Sequence, residues 1–303
     1  MTRTLSLVVE LLRAMRPHQW FKNLFVLAPL VFAEKLFLAE EWALDWENLR
    51  IAGLAFGLFS MAASSIYLLN DLMDRERDKQ HPVKCNRPIA SGRLPVPIAV
   101  MAAFTLGTTT LVLSHLTLPT HHLLVMAAYF ANNIAYSTVL KHRAFLDIAS
   151  IATGFMLRIA AGATAIAVPV TGWLYICTFL LACFLALGKR RHELDRGGES
   201  APLQREVLGR YRPKHVIVAM QMTALLTLGC FVAYALSDHA YAQFHTYKLV
   251  WTVPFILFGL WRFIHLVESP GVAESPTEAM VHDPLFLLNL LGWGLSVLAV
   301  IYA

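Results

Sequence analysis

Apolar runs alternate with short polar stretches along the whole chain, and this alternation is its dominant pattern. Each run is close to the ~20 residues that an α-helix needs to cross the hydrocarbon core of a bilayer. The pattern predicts an all-α, polytopic membrane protein with nine transmembrane helices, forming a single domain over residues 1–303. The predicted spans cover residues 20–37, 51–69, 96–116, 123–140, 145–168, 171–187, 215–236, 248–266 and 284–303.

Residues 1–17 precede the first span and have apolar side chains at helical spacing between Leu5 and Met15. Arg13 and Arg16 lie at the end of this segment, and no small-residue cleavage site follows it, as one would in a secretory signal peptide. We therefore expect an amphipathic helix that lies on the membrane surface.

The distribution of charge predicts how the chain crosses the membrane. With 57% hydrophobic and 15% charged residues, the composition is too apolar for a soluble globular protein. The net charge of +5 does not point to nucleic acid, because Lys and Arg lie mostly in connections between spans. These basic connections alternate with connections that have few basic residues. The alternation predicts that the N-terminus and the loops 70–95 and 188–215 face the cytoplasm, as in a multi-pass protein of the inner (plasma) membrane.

A polar cluster follows the second span and is the strongest candidate for chemistry. Its members lie at i, i+1, i+4 and i+8 of a helix, within an arc of about 100°. They are Asn70, Asp71, Asp74 and Asp78. Oxygen ligands on one face, followed by a basic stretch with Lys84 and Arg87, favour a hard cation such as Mg²⁺ that shares its shell with substrate phosphates. The alternative is a solvated helix end.

Three further predicted spans carry polar groups within them or at their ends, where such groups often mark function. Arg158 either pairs with a buried acid or backbone carbonyls, or binds an anion in a central cavity. Tyr136 and Lys141 follow two asparagines that can simply bond a neighbouring helix, and together they fit a phosphate-facing pair. Lys22 either extends toward the interface or contacts phosphate or sugar hydroxyls.

A second charged cluster ends the sixth span. Lys189, His192, Glu193 and Arg196 fall on one helical face, with Arg190 beside them. A positive cap at the cytoplasmic end would explain the basic residues, but it would not explain why Glu193 shares their face. Taken alone, this cluster fits a cap and a substrate site equally well.

These motifs resemble the UbiA superfamily of membrane prenyltransferases, and within it the decaprenyl-phosphate phosphoribosyltransferase branch. The resemblance covers nearly the whole chain. Aromatic-acceptor members of the superfamily carry a second Asp pair where this chain has the sequence 189–193, KRRHE. The motifs that carry the resemblance are Asn70-Asp71-x-x-Asp74-x-x-x-Asp78-x-x-His81-Pro82-x-Lys84-x-x-Arg87-Pro88, Arg16-Pro17-x-Gln19-Trp20-x-Lys22-Asn23 and Gly188-Lys189-Arg190-x-x-Glu193-Leu194.

The resemblance implies nine helices around a central cavity and an Mg²⁺-dependent transfer. In this reaction, 5-phosphoribose passes from phosphoribosyl pyrophosphate to a polyprenyl (decaprenyl-type) phosphate, pyrophosphate leaves, and the product serves cell-wall synthesis. Asn70 and the three aspartates Asp71, Asp74 and Asp78 would hold the metal, and the aspartates would be catalytic. The expected substrate contacts are Lys22, Lys84, Arg87, Tyr136, Lys141, Arg158, Lys189, Arg190 and Glu193.

Two other interpretations remain open beside this one. Prenyl transfer from a prenyl diphosphate to an aromatic or other small acceptor would use the same scaffold, but the missing second Asp pair counts against it. A transporter would place charges along a path across the bilayer, whereas here they gather at one end of the spans. Assembly as a homo-oligomer is also left open.

Overall fold

The computed structural model describes residues 2–38, 43–197, 206–269 and 276–302. Within these ranges the chain is α-helical or 3₁₀-helical between turns, and one isolated antiparallel bridge joins Phe37 and Leu44. The predicted cytoplasmic loop 188–215 therefore lies partly outside the described residues. The all-α prediction is confirmed for the part of the chain that is described.

Thirteen α-helices are described, and they are numbered here in chain order. They are α1 (Thr2–Met15), α2 (Ala28–Phe32), α3 (Trp46–Met73), α4 (Arg75–Gln80), α5 (Val96–Thr117), α6 (Thr120–Thr138), α7 (Leu146–Ala165), α8 (Gly172–Gly197), α9 (Pro213–Ala235), α10 (Asp238–Phe244), α11 (Val253–Glu268), α12 (Pro276–His282) and α13 (Pro284–Tyr302). Segments of 3₁₀-helix cover Pro17–Leu27, Lys84–Asn86, Leu140–His142, Glu206–Arg210 and Lys248–Thr252.

Seven of the described helices are long and apolar enough to cross a membrane. The chain is therefore a multi-pass α-helical membrane protein. The seven are Trp46–Met73, Val96–Thr117, Leu146–Ala165, Gly172–Arg196, Pro213–Ala235, Lys248–Glu268 and Pro284–Tyr302.

Two of the nine predicted spans differ from these seven. The first predicted span is a 3₁₀-helix, Pro17–Leu27, followed by the five-residue α2. Proline lies near the start of both pieces, where its missing N–H and fixed φ are tolerated. The fourth predicted span is the continuous helix α6, whose histidines and asparagines make it less apolar than the seven.

The chain divides into two compact units. Unit 1 comprises Met1–Thr138 and Leu157–Val170, and unit 2 comprises Val139–Met156 and Thr171–Ala303.

In unit 1, helix α3 packs against α5, against the 3₁₀-helix Pro17–Leu27 and against α1. Asp45 caps the start of α3, where its carboxylate accepts the Asn48 N–H at 3.0 Å. Gly162 lies so close to the carbonyl of Val26 that a Cβ at this position would collide with it. This contact holds the 3₁₀-helix tightly against the unit-1 core, which includes Phe59 and Ala62.

In unit 2, helix α8 packs along α9 and against α11. A Cβ at Gly188 would meet the ring of Phe263, so glycine allows α8 and α11 to approach closely. Because Gly188 directly precedes the charged cluster of residues 189–196, this packing sets the position from which that cluster extends.

Helix α1 has one face of exposed apolar side chains and one buried face. Leu5, Val8 and Leu12 are exposed, whereas Glu10 and Ala14 are buried. The polar residue Glu10 thus faces the protein, and an apolar face is left outside. The position of this helix on a membrane surface stays a prediction.

Candidate functional site

The end of α3 and the short helix α4 position the predicted metal-binding residues. The Asp74 N–H donates to the Asn70 carbonyl at 2.9 Å, and the Asp78 N–H donates to the Asp74 carbonyl at 2.8 Å. The i to i+4 register therefore continues across the junction at Asp74. Asp71 and Asp78 are buried, while the Asp74 side chain is 30% exposed.

Two guanidinium groups engage the buried aspartates. Arg16 Nη2 lies 2.5 Å from Asp71 Oδ1. Arg87 Nη1 lies 3.1 Å from the same oxygen and 2.7 Å from Asp78 Oδ2, so it bridges the two carboxylates. These ion pairs offset the cost of burying two negative charges.

Arg16 has an unusual backbone that fits this role. Its φ of 55° lies in the left-handed region, which costs a non-glycine residue on the order of 1–3 kcal/mol. Its guanidinium also lies over the ring of Tyr67, at 5.3 Å from the ring centroid. The turn between α1 and the 3₁₀-helix is thus tied to the aspartate cluster.

The other carboxylate oxygen of Asp71 bears on the metal hypothesis. Asp71 Oδ2 is buried and has no hydrogen-bond partner among the described residues. An anionic oxygen in that condition calls for a ligand, and the hard oxygen donors around it suit Mg²⁺. No group of three or more His, Cys, Asp or Glu side chains in the described ranges is already gathered closely enough to hold an ion.

Asn70 is held by a residue that the sequence did not single out. Ser137, on α6, hydrogen-bonds Asn70 Oδ1 through its hydroxyl. The bond fixes the orientation of the Asn70 amide. Tyr136 precedes Ser137 and is half-buried.

Arg158 lies inside unit 1 and is 7% exposed. Its Nε donates to Asn23 Oδ1 at 2.9 Å, and Asn23 Nδ2 donates to Ser60 Oγ at 3.0 Å. The guanidinium carbon lies 5.0 Å from the ring centroid of Phe59 and 5.4 Å from that of Tyr129. An amide chain and two aromatic faces therefore position this buried cation.

Two lysines predicted as substrate contacts lie in the 3₁₀ segments of unit 1. Lys22 donates to Gln19 Oε1 at 3.1 Å. Lys84 is half-buried, and its backbone N–H donates to His81 Nδ1 at 3.3 Å. Since Arg87 follows Lys84 by three residues, the same short segment supplies Lys84 and the arginine that bridges the aspartates.

Unit 2 contains the second charged cluster, and Arg190 is at its centre. Arg190 is fully buried, and its Nε donates to Asp147 Oδ2 at 2.9 Å. Its Nη1 contacts Glu193, whose side chain remains 23% exposed. The structure therefore places Arg190 inside the protein and leaves part of Glu193 at the surface of the unit.

The other residues predicted to contact substrate or to share the helical face of residues 189–196 differ in burial. Lys189 is half-buried and Arg196 is exposed. His192 is buried, and its Nε2 has no hydrogen-bond partner among the described residues. Lys141 is half-buried in the 3₁₀-helix that precedes α7.

Tyr211 completes the unit-2 cluster. Its hydroxyl donates to Asp147 Oδ1 at 2.6 Å and accepts the Phe145 N–H at 2.8 Å. Burial, followed by the hydrogen bond to Asp147, raises the pKa of Tyr211 above its ordinary value. The hydroxyl thus stays protonated and remains a donor at neutral pH.

Sequence reasoning assigned no role to Arg16, Ser137, Asp147 or Tyr211. An acid near the start of an apolar helix is a signal that could have pointed to Asp147. The other three bind partners that lie at least 55 residues away in the chain, and no periodic pattern marks them.

Comparison with known proteins identifies relatives over nearly the whole chain. Residues 26–300 match the family described as the UbiA prenyltransferase family. A decaprenyl-phosphate phosphoribosyltransferase from Mycolicibacterium smegmatis is 33% identical, over 98% of this chain and 94% of that protein. A protein of the same name from Mycobacterium tuberculosis is 31% identical, over 95% and 93%.

Solved structures show the same fold. A UbiA homolog from Archaeoglobus fulgidus bound to GPP and Mg²⁺ aligns with a TM-score of 0.69 at 16% identity, covering 97% of this chain and 100% of that one. A digeranylgeranylglyceryl phosphate synthase aligns with a TM-score of 0.63 at 13% identity, covering 100% and 99%.

Proposed function

The chain belongs to the UbiA prenyltransferase family, and on that premise we propose that it transfers 5-phosphoribose from phosphoribosyl pyrophosphate to a polyprenyl phosphate. One observation carries the proposal. Proteins named decaprenyl-phosphate phosphoribosyltransferase are 31–33% identical to this chain over nearly its full length. The sequence 189–193 also supports the proposal. Its residues are mostly basic, which suits the binding of a substrate phosphate and does not suit a second metal ion.

The chemistry makes modest demands on the protein. A lipid phosphate is already an anionic nucleophile, so no strong general base is needed. The barrier lies in breaking the C1–O bond of the ribose while negative charge develops on the departing pyrophosphate. The protein therefore has to stabilise charge on the leaving group and hold the donor in line with the lipid phosphate.

We propose that the aspartate cluster binds the pyrophosphate leaving group through a metal ion. Asn70, Asp71, Asp74 and Asp78 would hold Mg²⁺, which supplies positive charge for the pyrophosphate when bound. The buried Oδ2 of Asp71 supports this assignment, because it has no hydrogen-bond partner in the described part of the chain. In the structure Arg87 pairs with Asp71 Oδ1 and Asp78 Oδ2, two oxygens that such a cation would need as ligands. We propose that Arg87 turns from these oxygens to the pyrophosphate, beside Lys84.

The other phosphates and the ribose would contact the remaining polar residues. In unit 1 these are Lys22, Tyr136 and Arg158. In unit 2, Lys141 and Lys189 would bind phosphate, and Glu193 would accept hydrogen bonds from ribose hydroxyls or bind a second cation. Arg190 would act by holding Glu193, since it is buried between two carboxylates.

We also propose the finer topology that the charge pattern predicts. The 3₁₀-helix Pro17–Leu27 with α2, together with α6, would add two spans to the seven, giving nine around a central cavity. The N-terminus and the aspartate cluster would face the cytoplasm from the inner membrane. The lipid-linked product would serve as a cell-envelope precursor.

One incubation tests the function. Purified protein is mixed with Mg²⁺, decaprenyl phosphate and radiolabelled phosphoribosyl pyrophosphate, and the label is then partitioned between butanol and water. We expect label in the lipid phase and its loss when a chelator removes the metal. Label that stays wholly aqueous contradicts the proposal. A parallel incubation with a prenyl diphosphate and an aromatic acceptor then tests prenyl transfer.

A further inference from the structure

A buried clamp joins three separate segments of unit 2. We propose that Tyr211 and Asp147 are positioning residues that hold Lys141 and Glu193 in the arrangement that binds the phosphoribosyl donor. The inference rests on the proposed function and adds two residues to which neither the sequence motifs nor the family resemblance gives a role.

The Tyr211 hydroxyl is the first part of the clamp. It makes two hydrogen bonds of opposite sense, donating to Asp147 Oδ1 at 2.6 Å and accepting the Phe145 N–H at 2.8 Å. The ring of Tyr211 is buried and meets the ring of Phe145 edge to face, with centroids 5.4 Å apart. A single side chain thus ties the segment after Glu206–Arg210 to the start of α7.

Asp147 carries the connection into α8. Its second oxygen, Oδ2, accepts the Arg190 Nε–H at 2.9 Å, and both side chains are 1% exposed or less. Arg190 in turn contacts Glu193. A buried ion pair that loses one partner is strongly destabilised, so Asp147 and Arg190 constrain each other's position. The orientation of the Glu193 carboxylate therefore depends on a chain of contacts that begins at Tyr211.

The connection that carries Lys141 is held by the same hydroxyl. Phe145 has a φ of 66°, a left-handed conformation that disfavours a residue with a bulky side chain. The hydrogen bond from its N–H to Tyr211 and the ring contact both stabilise this conformation. The 3₁₀-helix Leu140–His142 also packs against Glu206–Arg210. Releasing Tyr211 would let Phe145 relax and would shift Lys141.

Tyr211 and Asp147 act through their neighbours. Asp147 is fully buried and Tyr211 is 6% exposed, whereas Lys141 and Glu193 retain exposed surface. Lys141 and Glu193 are therefore the residues that would contact the ligand.

Tyr211→Phe tests the clamp, because it removes the hydroxyl and keeps the ring. We expect the KM for phosphoribosyl pyrophosphate to rise about tenfold and the KM for decaprenyl phosphate to change less than about twofold. Hydrogen–deuterium exchange should become faster in a peptide covering residues 140–147. The matched control is Tyr241→Phe on α10, whose exposed ring stacks on Tyr247 and should leave all three quantities unchanged.

The outcomes separate the clamp from the proposed function. Exchange does not depend on turnover, so wild-type protein that transfers no phosphoribose contradicts the function, and unchanged exchange in Tyr211→Phe contradicts the clamp. A parallel rise in both KM values with a lower melting temperature would indicate a merely structural role and overturn the inference. If Tyr211→Phe does not fold, the test uses Asp147→Asn, which keeps an oxygen for the Tyr211 hydroxyl. This variant must likewise raise the KM for phosphoribosyl pyrophosphate and leave the KM for decaprenyl phosphate nearly unchanged.

Discussion

At the scale of single residues, the two oxygens of Asp71 are in opposite situations. Oδ1 accepts from both Arg16 and Arg87, whereas Oδ2 is buried without a hydrogen-bond partner among the described residues. The desolvation cost of the unbonded oxygen persists until a ligand meets it. We therefore propose that the cluster gains a cation and releases Arg87 when it does.

Asp74 offers the cleanest test of the metal role, because it is partly exposed and its loss should not unfold the protein. We expect Asp74→Asn to lower kcat by at least about 100-fold, since charge on the leaving pyrophosphate would be poorly neutralised. The measurement is label transfer over a range of Mg²⁺ concentrations. Glu76→Gln is the control, because Glu76 is exposed and pairs with Lys79. Near wild-type activity of Asp74→Asn would exclude the metal role.

The variant Lys189→Ala tests whether Lys189 binds substrate or only provides positive charge at the cytoplasmic end of its helix. If it binds a phosphate, Lys189→Ala should raise the KM of one substrate about tenfold while the melting temperature stays within a few degrees. Arg196→Ala, at an exposed position of the same helix, is the control. An unchanged KM for both substrates would support the cap.

At the scale of elements, helix α1 is coupled to the loop that carries Lys84 and Arg87. Glu10 lies 3.0 Å from Arg93 Nε, and Arg93 Nη2 donates to the Asn86 carbonyl at 2.5 Å. Asn86 directly precedes Arg87. A helix with an exposed apolar face thus supports the loop that contacts the aspartates.

Glu10→Gln should loosen this coupling. Burial raises the pKa of Glu10, but Arg93 and Arg13 outweigh burial and hold it below its ordinary value of 4.5. A depressed pKa in the folded state means that Glu10 stabilises the fold at neutral pH, and that this contribution is lost as the pH falls below about 4.5. The variant should therefore melt a few degrees below wild type at pH 7, as for a loss of about 1 kcal/mol, and the difference should shrink in acid.

Arg13→Ala provides the comparison for Glu10. Its side chain is 64% exposed, so its ion pair with Glu10 should contribute little. A melting temperature for Glu10→Gln that equals wild type at pH 7 would show that α1 is not held to the loop through this residue.

At the scale of the whole molecule, each compact unit has its own charged cluster built from residues of that unit. Asp71 and Asp78 pair with Arg16 and Arg87 in unit 1, and Asp147 pairs with Arg190 in unit 2. In both units a non-glycine residue with positive φ lies beside the cluster, Arg16 in one and Phe145 in the other. Such strain persists only where the surroundings enforce it.

The proposed topology predicts where thiols can be labelled. Cys85 lies in the basic loop after the aspartate cluster and is partly exposed. In intact spheroplasts a membrane-impermeant maleimide should label Cys85 only after permeabilisation. Ala242→Cys, at an exposed position of α10, should be labelled from outside without it. The reverse pattern would invert the predicted orientation.

Local patterns account for the features that the sequence predicted well. Apolar runs of membrane-spanning length and the spacing from Asn70 to Asp78 follow from helical geometry, which depends only on neighbours in the chain. The helical form of α1 follows from the same periodicity. The hydropathy of residues 20–37 predicted one continuous span, whereas the structure has a 3₁₀-helix followed by the short helix α2, because the backbone there is shaped by prolines and by the contact of Gly162 with Val26.

What the sequence by itself determined is the class of protein, its family and the residues of the aspartate cluster. Only the tertiary structure decided which arginines pair with that cluster. It also decided how the second charged cluster, in unit 2, is held in place. Arg16 and Asp71 are 55 residues apart, and Tyr211 and Asp147 are 64 apart. The physical reason is that buried charges have to be paired, and packing of distant segments selects their partners.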